Sequence, residues 1–324
     1  MEFFLIKQYM NHVLINKLRK LIKKPIQKNN KKQIKKPIPP LNVWNKKIKL
    51  MHKQSNSHEH INIHNNHIVL HKLQLNQTTS TNKMKFPPSY SIASALSIPI
   101  PDQGNLGACV TFAILSVKAS YYPTMPSPSY LYSYYCARLA TGCSPTQDTG
   151  LDLLQCAYSD CFNKYGITSS NYWSYNTRQF KVQPPLLAYQ NASTTYPLNS
   201  KSIPQTDISI KTALYSNQIV LCGILVYPSF MTDKVASNGI IPTPLSSEKS
   251  IGGHCIRIIG FTIWQQQDYY IIANSWGLDW GSDGNTTIQP NFKNNGSNGG
   301  YGYIPSAYLL NPKNAFEFIT CSST

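Results

Sequence analysis

Acidic residues are scarce in this chain. Its 324 residues include 13 Asp and Glu against 30 Lys and Arg, a formal net charge of +17. Such an excess points to nucleic acid until it is located. Residues 1–85 hold 18 of the basic residues and only Glu2 and Glu59 as acids, a net of +16. Residues 86–324 hold 12 basic and 11 acidic residues, a net of +1. The charge belongs to an N-terminal tail, and the 41% hydrophobic content supports a sizeable core in the neutral remainder. Long apolar runs are missing too. Met1-Glu2-Phe3-Phe4-Leu5-Ile6 is broken by Lys7, short of the roughly 7–15 apolar residues of a secretory signal. No later stretch approaches the roughly 20 apolar residues of a membrane span. The expectation is a non-secreted protein whose eight cysteines are mostly reduced. Histidine is nearly absent from the neutral part: seven of eight lie at or before His71, so a catalytic histidine there must be His254.

The tail divides into three stretches. Residues 2–24 place Phe3, Ile6, Met10, Leu14, Leu18 and Leu21 at helical spacing among Lys17, Arg19, Lys20 and Lys23, with Pro25 to stop the helix. Blocks of like charge usually mark solvated, weakly folded segments. The alternative is attachment to an acidic surface, either an anionic membrane or nucleic acid. Residues 23–49 are rich in Lys and Pro, a composition that resists packing. Residues 52–71 carry His58, His60, His64, His67 and His71 among asparagines. Only Glu59 accompanies them, without cysteines, so biased sequence is favoured over a zinc site and no metal is assigned.

At Phe86-Pro87-Pro88 the character changes. Val110–Ala119 is apolar on nearly every side, as in a buried central helix, and ends before Pro123. Gly150–Lys164 reads as a second helix. Residues 183–206 read as loop. Then Ile219–Tyr227, Cys255–Trp264 and Tyr269–Ala273 read as strands. Helices first and strands later indicate an α+β fold with segregated layers.

Chemistry-bearing residues cluster at the borders of these elements. Cys109 directly precedes the central helix, where the helix dipole and unpaired backbone N–H groups favour thiolate, the nucleophilic form. A lone cysteine is otherwise a small buried hydrophobe. Gln103, six residues earlier, is placed to offer its side-chain amide to an oxyanion; a surface amide is the plainer role. Gly252-Gly253-His254 opens a strand and Asn274 ends the next one. With a turn near Gln265–Gln267 the strands form an antiparallel hairpin that brings residues 254 and 274 to the same end. Asn274 can then fix the imidazole tautomer and leave the other nitrogen for a thiol, the nucleophile–base–orienter arrangement of a triad. The glycine pair permits close approach of backbone or substrate. Cys255 is the rival nucleophile, but successive strand residues point to opposite faces, which assigns it to the core. Trp276 and Trp280 are core aromatics, or Trp276 covers the His254–Asn274 bond and excludes water.

These residues resemble the papain-like cysteine peptidases, the group of papain and the cathepsins. Three blocks carry the likeness in the family's order: Gln103 to Phe112, Gly252-Gly253-His254, and Asn274 to Gly281. Gly300-Tyr301-Gly302-Tyr303-Ile304-Pro305 resembles the family's Gly-Tyr strand. His254 lies 145 residues after Cys109, within the roughly 130–150 expected for the family. The resemblance covers about Phe86 to Pro312. It implies a papain-like α+β fold: a helical left subdomain (about 100–205) and an antiparallel β-barrel-like right subdomain (about 206–312) with the active site in the cleft. The implied boundaries are a tail or pro-segment over 1–85 and a peptidase domain over 86–324. Cys109 is implied as nucleophile, His254 as its ion-pair partner and general acid, and Asn274 as orienter. Gln103 and the Cys109 backbone N–H are implied as the oxyanion hole. Trp276 is implied as a shield and part of the primed side, Gly150 as part of the glycine strip that holds substrate backbone, and Gly253 as a further substrate contact.

Departures from the family pattern are informative. Leu106 stands where the family usually has a disulfide-bonded cysteine. Ala108 and Val110 replace the usual Ser and Trp, and Gly253 an acidic or amide residue. Residues 1–85 lack the family's helical propeptide motif, and Asn285–Gly299 is an Asn/Gly-rich insertion. With the composition and the absent signal, these resemble non-secreted bacterial and large-DNA-virus members, in a cytoplasmic or virion setting. The expected function is hydrolysis of peptide bonds in protein or peptide substrates through a Cys109 acyl-thioester, with no cofactor. The alternatives are a catalytically silent binding platform carrying a basic tail, and an amidase or acyltransferase on the same fold.

Overall fold

The computed structural model describes residues 85–323, apart from 293 and 295. The basic and His-rich tail, with its expected helix, acidic-surface contact and zinc alternative, lies outside the described residues.

The chain enters through a short strand β1 (Tyr90–Ser91) and a single-turn helix α1 (Ala93–Leu96). The central helix α2 spans Cys109–Tyr121, and every residue from Val110 to Lys118 is buried. A helix apolar all round belongs inside a fold rather than on it, and α2 packs against both the neighbouring helix and the sheet. Lys118 is accommodated there because its Nζ meets Asp160 at 2.8 Å and the Tyr196 carbonyl at 2.6 Å, as a buried charge requires.

Two expectations for the helical half are corrected. Helix α3 (Tyr130–Ala140) has no counterpart among the expected elements; it is capped by Ser129, whose Oγ accepts from the Tyr132 N–H. Its Tyr-rich sequence favours strands by propensity, yet Tyr132 and Tyr134 are fully buried among helices. The helix expected over Gly150–Lys164 is shorter. Helix α4 runs Leu153–Ser159, begun by Asp152 as N-cap and ended by Asp160 in the left-handed region at φ 41°.

The stretch expected as loop over 183–206 contains helix α5 (Leu186–Gln190) and strand β2 (Leu198–Ser202). Helix α6 (Asp207–Tyr215), strand β3 (Val220–Val226) and helix α7 (Asp233–Asn238) come next. The long hairpin β4 (Gly252–Trp264) and β5 (Gln267–Ala273) turns through Gln265 and Gln266, both at positive φ, as a two-residue hairpin turn requires. Strand β6 (Tyr301–Pro305), helix α8 (Ser306–Leu309) and strand β7 (Ala315–Ser323) complete the chain. The strands form one antiparallel sheet in the order β2-β7-β3-β4-β5-β6, with β1 on β4. The sheet therefore takes in β2 and β7, which lie on either side of the span 206–312. The arrangement is α+β, with helices gathered on an antiparallel sheet.

Candidate active site

Cys109 is the first residue of α2, and Ala108 at the N-cap supplies no side-chain acceptor. The helix thus begins with backbone N–H groups directed at the thiol. Burial pushes the Cys109 thiol above its ordinary value. Hydrogen bonds from the backbone of Cys255, Val110 and Cys109 itself oppose that rise, and the charge of Asp148 adds to it.

The β4–β5 hairpin brings His254 and Asn274 together. Arg257 lies opposite Ala273 in the β4–β5 ladder, and beyond that pair His254 and Asn274 meet at the same end. His254 Nε2 lies 2.8 Å from Asn274 Oδ1, with both residues buried. The same Oδ1 accepts the Ser275 N–H at 2.8 Å, which settles the amide orientation. An acceptor oxygen on that side puts an imidazole proton on Nε2. Trp276 covers the pair, its ring centroid 4.9 Å from that of His254. Phe230 and Trp280 pack edge-on to the Trp276 ring at 5.7 and 5.4 Å, so water is kept from the bond.

A cavity of about 550 Å³ is lined by Cys109, His254, Gly150 and Gly253 together. Gly150 adopts φ +74°, which glycine tolerates best. At Gly253 a Cβ would meet nothing within 4 Å, so the backbone there borders open space. Asn274 and Trp276 lie behind this wall. Cys255 borders the cavity and belongs to the hydrophobic core, as expected. It is 4% exposed, and burial holds its thiol well above the ordinary value.

Gln103 is buried beside the loop leading to Cys109 and does not line the cavity. Its Nε2 donates to the Leu106 carbonyl at 2.8 Å, and its Oε1 accepts from Ser275 Oγ at 2.5 Å. Its backbone N–H bonds the Ser275 carbonyl at 2.8 Å. Ser275 therefore ties Gln103 to the Asn274 corner. That role has no sequence signal beyond its place in the Asn274–Gly281 block.

Asp148 is a second residue that sequence reasoning misses. It accepts from the Gly107 N–H at 3.1 Å and from Tyr134 Oη at 2.5 Å, while Tyr134 Oη accepts from the Gly150 N–H at 3.2 Å. The Arg138 guanidinium stacks over the Tyr134 ring at 4.1 Å. This network joins the backbone on two sides of the cavity. Burial raises the Asp148 carboxyl, against the lowering effect of Tyr134, Gly107 and Arg138. All eight cysteines are free thiols. No helix among the described residues is long and apolar enough to cross a membrane.

A helix-borne cysteine and a sheet-borne, asparagine-held histidine lining one cavity of an α+β fold define the papain-like architecture. The model of the papain family cysteine proteases matches residues 90–301, and the chain belongs to that family. It is 32% identical over 197 residues to an uncharacterized peptidase C1-like protein of Acanthamoeba polyphaga mimivirus, covering 56% of this chain and 61% of that relative. A gut-specific cysteine proteinase of Caenorhabditis elegans is 32% identical over 87 residues, 27% of this chain and 25% of the relative. The chain thus spans less than two thirds of the length of these relatives. Among solved structures, xylellain, a cysteine protease from Xylella fastidiosa, superposes with a TM-score of 0.58 at 20% identity, covering 74% of this chain and 87% of its own. Digestive procathepsin L 3 of Tenebrio molitor larval midgut gives 0.50 at 18% identity, covering 76% and 72%. These two likenesses establish the shared fold.

Proposed function

We propose that the chain is a cysteine-type peptidase that hydrolyses peptide bonds in protein or peptide substrates, with Cys109 as nucleophile and His254 as base and acid. The observation that carries this reading is that Cys109 and His254 line one cavity while Asn274 holds His254 Nε2 at 2.8 Å. The imidazole takes the thiol proton on Nδ1, and the imidazolium supplies the positive charge that the buried thiolate needs. Sγ attacks the carbonyl carbon, forming a C–S bond and moving the π pair onto oxygen. The oxyanion is met by the Cys109 backbone N–H and the second N–H of the Gln103 amide, which Ser275 orients. The carbonyl re-forms, the C–N bond breaks, and imidazolium protonates the departing amine. Water, deprotonated by His254, then attacks the acyl-thioester, releasing a carboxylic acid and restoring the thiol.

Family membership and the proteinase names of the relatives support this substrate class. The same reading takes residues 86–324 as the peptidase domain. Trp276, Gly150 and Gly253 then hold the imidazole and the substrate backbone. A cytoplasmic or virion-associated setting has the mimivirus relative as its support. The test is labelling with an epoxide thiol inhibitor, followed by location of the adduct by mass spectrometry. Labelling at Cys109 that is lost in His254→Ala is the expected result; wild-type protein that takes no label refutes the reading. Gln103→Ala should keep the label and lose about 100- to 1000-fold in kcat, and unchanged turnover would remove Gln103 from the oxyanion hole.

A further inference from the structure

A buried cysteine is a small hydrophobe until a second thiol touches it, and Cys156 and Cys161 touch at the end of α4. The helix closes on Asp160 in the left-handed region, with the Asp160 N–H bonded to the Cys156 carbonyl. The next N–H, that of Cys161, bonds the same carbonyl at 3.2 Å. These bonds make a Schellman-type stop, a turn whose first and last side chains commonly pack together. Here both of those residues are cysteines. Joined by one hydrogen bond, their Cα atoms are at most about 7 Å apart, the upper end of a disulfide's span. The Cys161 thiol is hydrogen-bonded to that of Cys156, so the two sulfurs already face each other.

The turn is held from outside as well. Asp160 meets Lys118 of α2 at 2.8 Å and accepts the Leu198 N–H of β2 at 3.2 Å. The backbone geometry that a bond between the sulfurs needs is therefore present before the bond. Cys156 is 0% and Cys161 2% exposed. Burial first, then the Cys156 thiol, holds the Cys161 thiol well above its ordinary value, and Lys118 opposes them. An enclosed, protonated thiol is a poor nucleophile, so reaction takes an opening of the helix end. A seven-residue helix is too short to be stable by itself, which makes that opening accessible. The other end of α4 is cavity wall: Asp152, Leu153 and Gln155 line the space that holds Cys109 and His254. Of the neighbouring thiols, Cys321 is turned to Ser200 Oγ at 3.5 Å, and Cys143 lines the cavity.

We propose that Cys156 and Cys161 are a disulfide-forming pair that, when oxidised, staples the last turn of α4 and with it one wall of the cavity. The oxidant is a small-molecule disulfide such as glutathione disulfide. One cysteine thiolate attacks it, giving a mixed disulfide and releasing one glutathione thiolate. The second cysteine thiolate attacks the protein-side sulfur of that bond, which forms the Cys156–Cys161 bond and releases the second glutathione. Two protein thiols lose two electrons, the oxidant gains them, and the two protons leave with the departing thiolates. The closed loop of six residues stabilises the fold by restricting the unfolded chain.

The test uses full-length Cys109→Ala protein, in which the nucleophile cannot itself form a mixed disulfide. Samples are held in dithiothreitol or in glutathione disulfide, unfolded in iodoacetamide, and digested with trypsin and chymotrypsin. Cleavage after Tyr158 separates the two cysteines. The oxidised sample should yield two peptides joined through Cys156 and Cys161, and the reduced sample should yield both cysteines alkylated. Calorimetry on the same samples should show Tm higher by about 4–8 °C in the oxidised form. The rise should be reversed by dithiothreitol and be absent when Cys156→Ala or Cys161→Ala is added. Both cysteines alkylated after oxidation, or a link to Cys143 or Cys321 in place of the pair, overturns the inference. A linked pair with unchanged Tm overturns the staple. Mapping and Tm of the parent protein decide even where an alanine variant does not fold. None of these readouts requires turnover, so the pair stands or falls independently of the peptidase reading.

Discussion

Replacement of Asn274 by alanine isolates the bond on which the proposed mechanism depends. In the native structure Asn274 Oδ1 serves two donors, His254 Nε2 at 2.8 Å and the Ser275 N–H at 2.8 Å, in a corner where Asn274 is 1% and His254 3% exposed. Truncation leaves both donors without that acceptor, and Trp276 keeps compensating water away. A hydrogen bond to a charged imidazolium contributes about 1.5–3 kcal/mol, which converts to a loss of about 10- to 100-fold in kcat. The abandoned Ser275 N–H costs about 1–3 kcal/mol of stability, or about 2–4 °C in Tm per kcal/mol for a domain of this size. Because the side chain lies behind the cavity wall, KM should change little. The assay is steady-state hydrolysis of a fluorogenic peptide, with calorimetry on the same samples. Asn274→Asp keeps an acceptor oxygen and should retain more activity than alanine. Wild-type kcat in Asn274→Ala, in protein of near-native Tm, would refute the orienting role.

The same geometry sets three further outcomes. Ser275→Ala removes the 2.5 Å bond to Gln103 Oε1 and should lower kcat about tenfold with KM unchanged, since the amide is then held by its Leu106 bond alone; equal kcat in the variant contradicts the tie. In His254→Ala the Cys109 thiol keeps its burial and loses the imidazolium of the proposed ion pair. Its pKa is raised, so thiolate is depleted at neutral pH, and alkylation by iodoacetamide should climb only above the ordinary thiol range. Alkylation at pH 7 as fast as wild type excludes the ion pair. Gly223→Ala forces Phe316 to move and should cost about 1–3 kcal/mol, read as a drop in Tm; an unchanged Tm argues against the ring's placement.

Much of the fold is legible in the sequence because it rests on short-range pattern. The helix of α2 and the strands around 219–227, 255–264 and 269–273 are continuous apolar runs, and burial on all sides leaves such runs few other places to go. What escapes reading depends on distant partners. Helix α3 is written in tyrosines that would suit a strand, and only its packing among other helices decides for helix. Strand β2, with the sequence Leu-Asn-Ser-Lys-Ser, carries no apolar signal. It exists because β7, more than a hundred residues later, presents an edge to it.

The candidate site divides the same way. Residue types, their order and a two-residue turn are enough to bring His254 opposite Asn274, since hairpin register follows from local geometry. Cys109 likewise owes its position to the start of a helix that the sequence announces. Tertiary structure alone decides the rest. It raises the thiol pKa by burying it, against the backbone hydrogen bonds of the helix start. It buries Gln103 and fastens it to Ser275, and it links Gly107 to Gly150 through Asp148 and Tyr134. Those contacts join residues far apart in the chain, and neither periodicity nor spacing carries information about which side chains a sheet and a helix will press together.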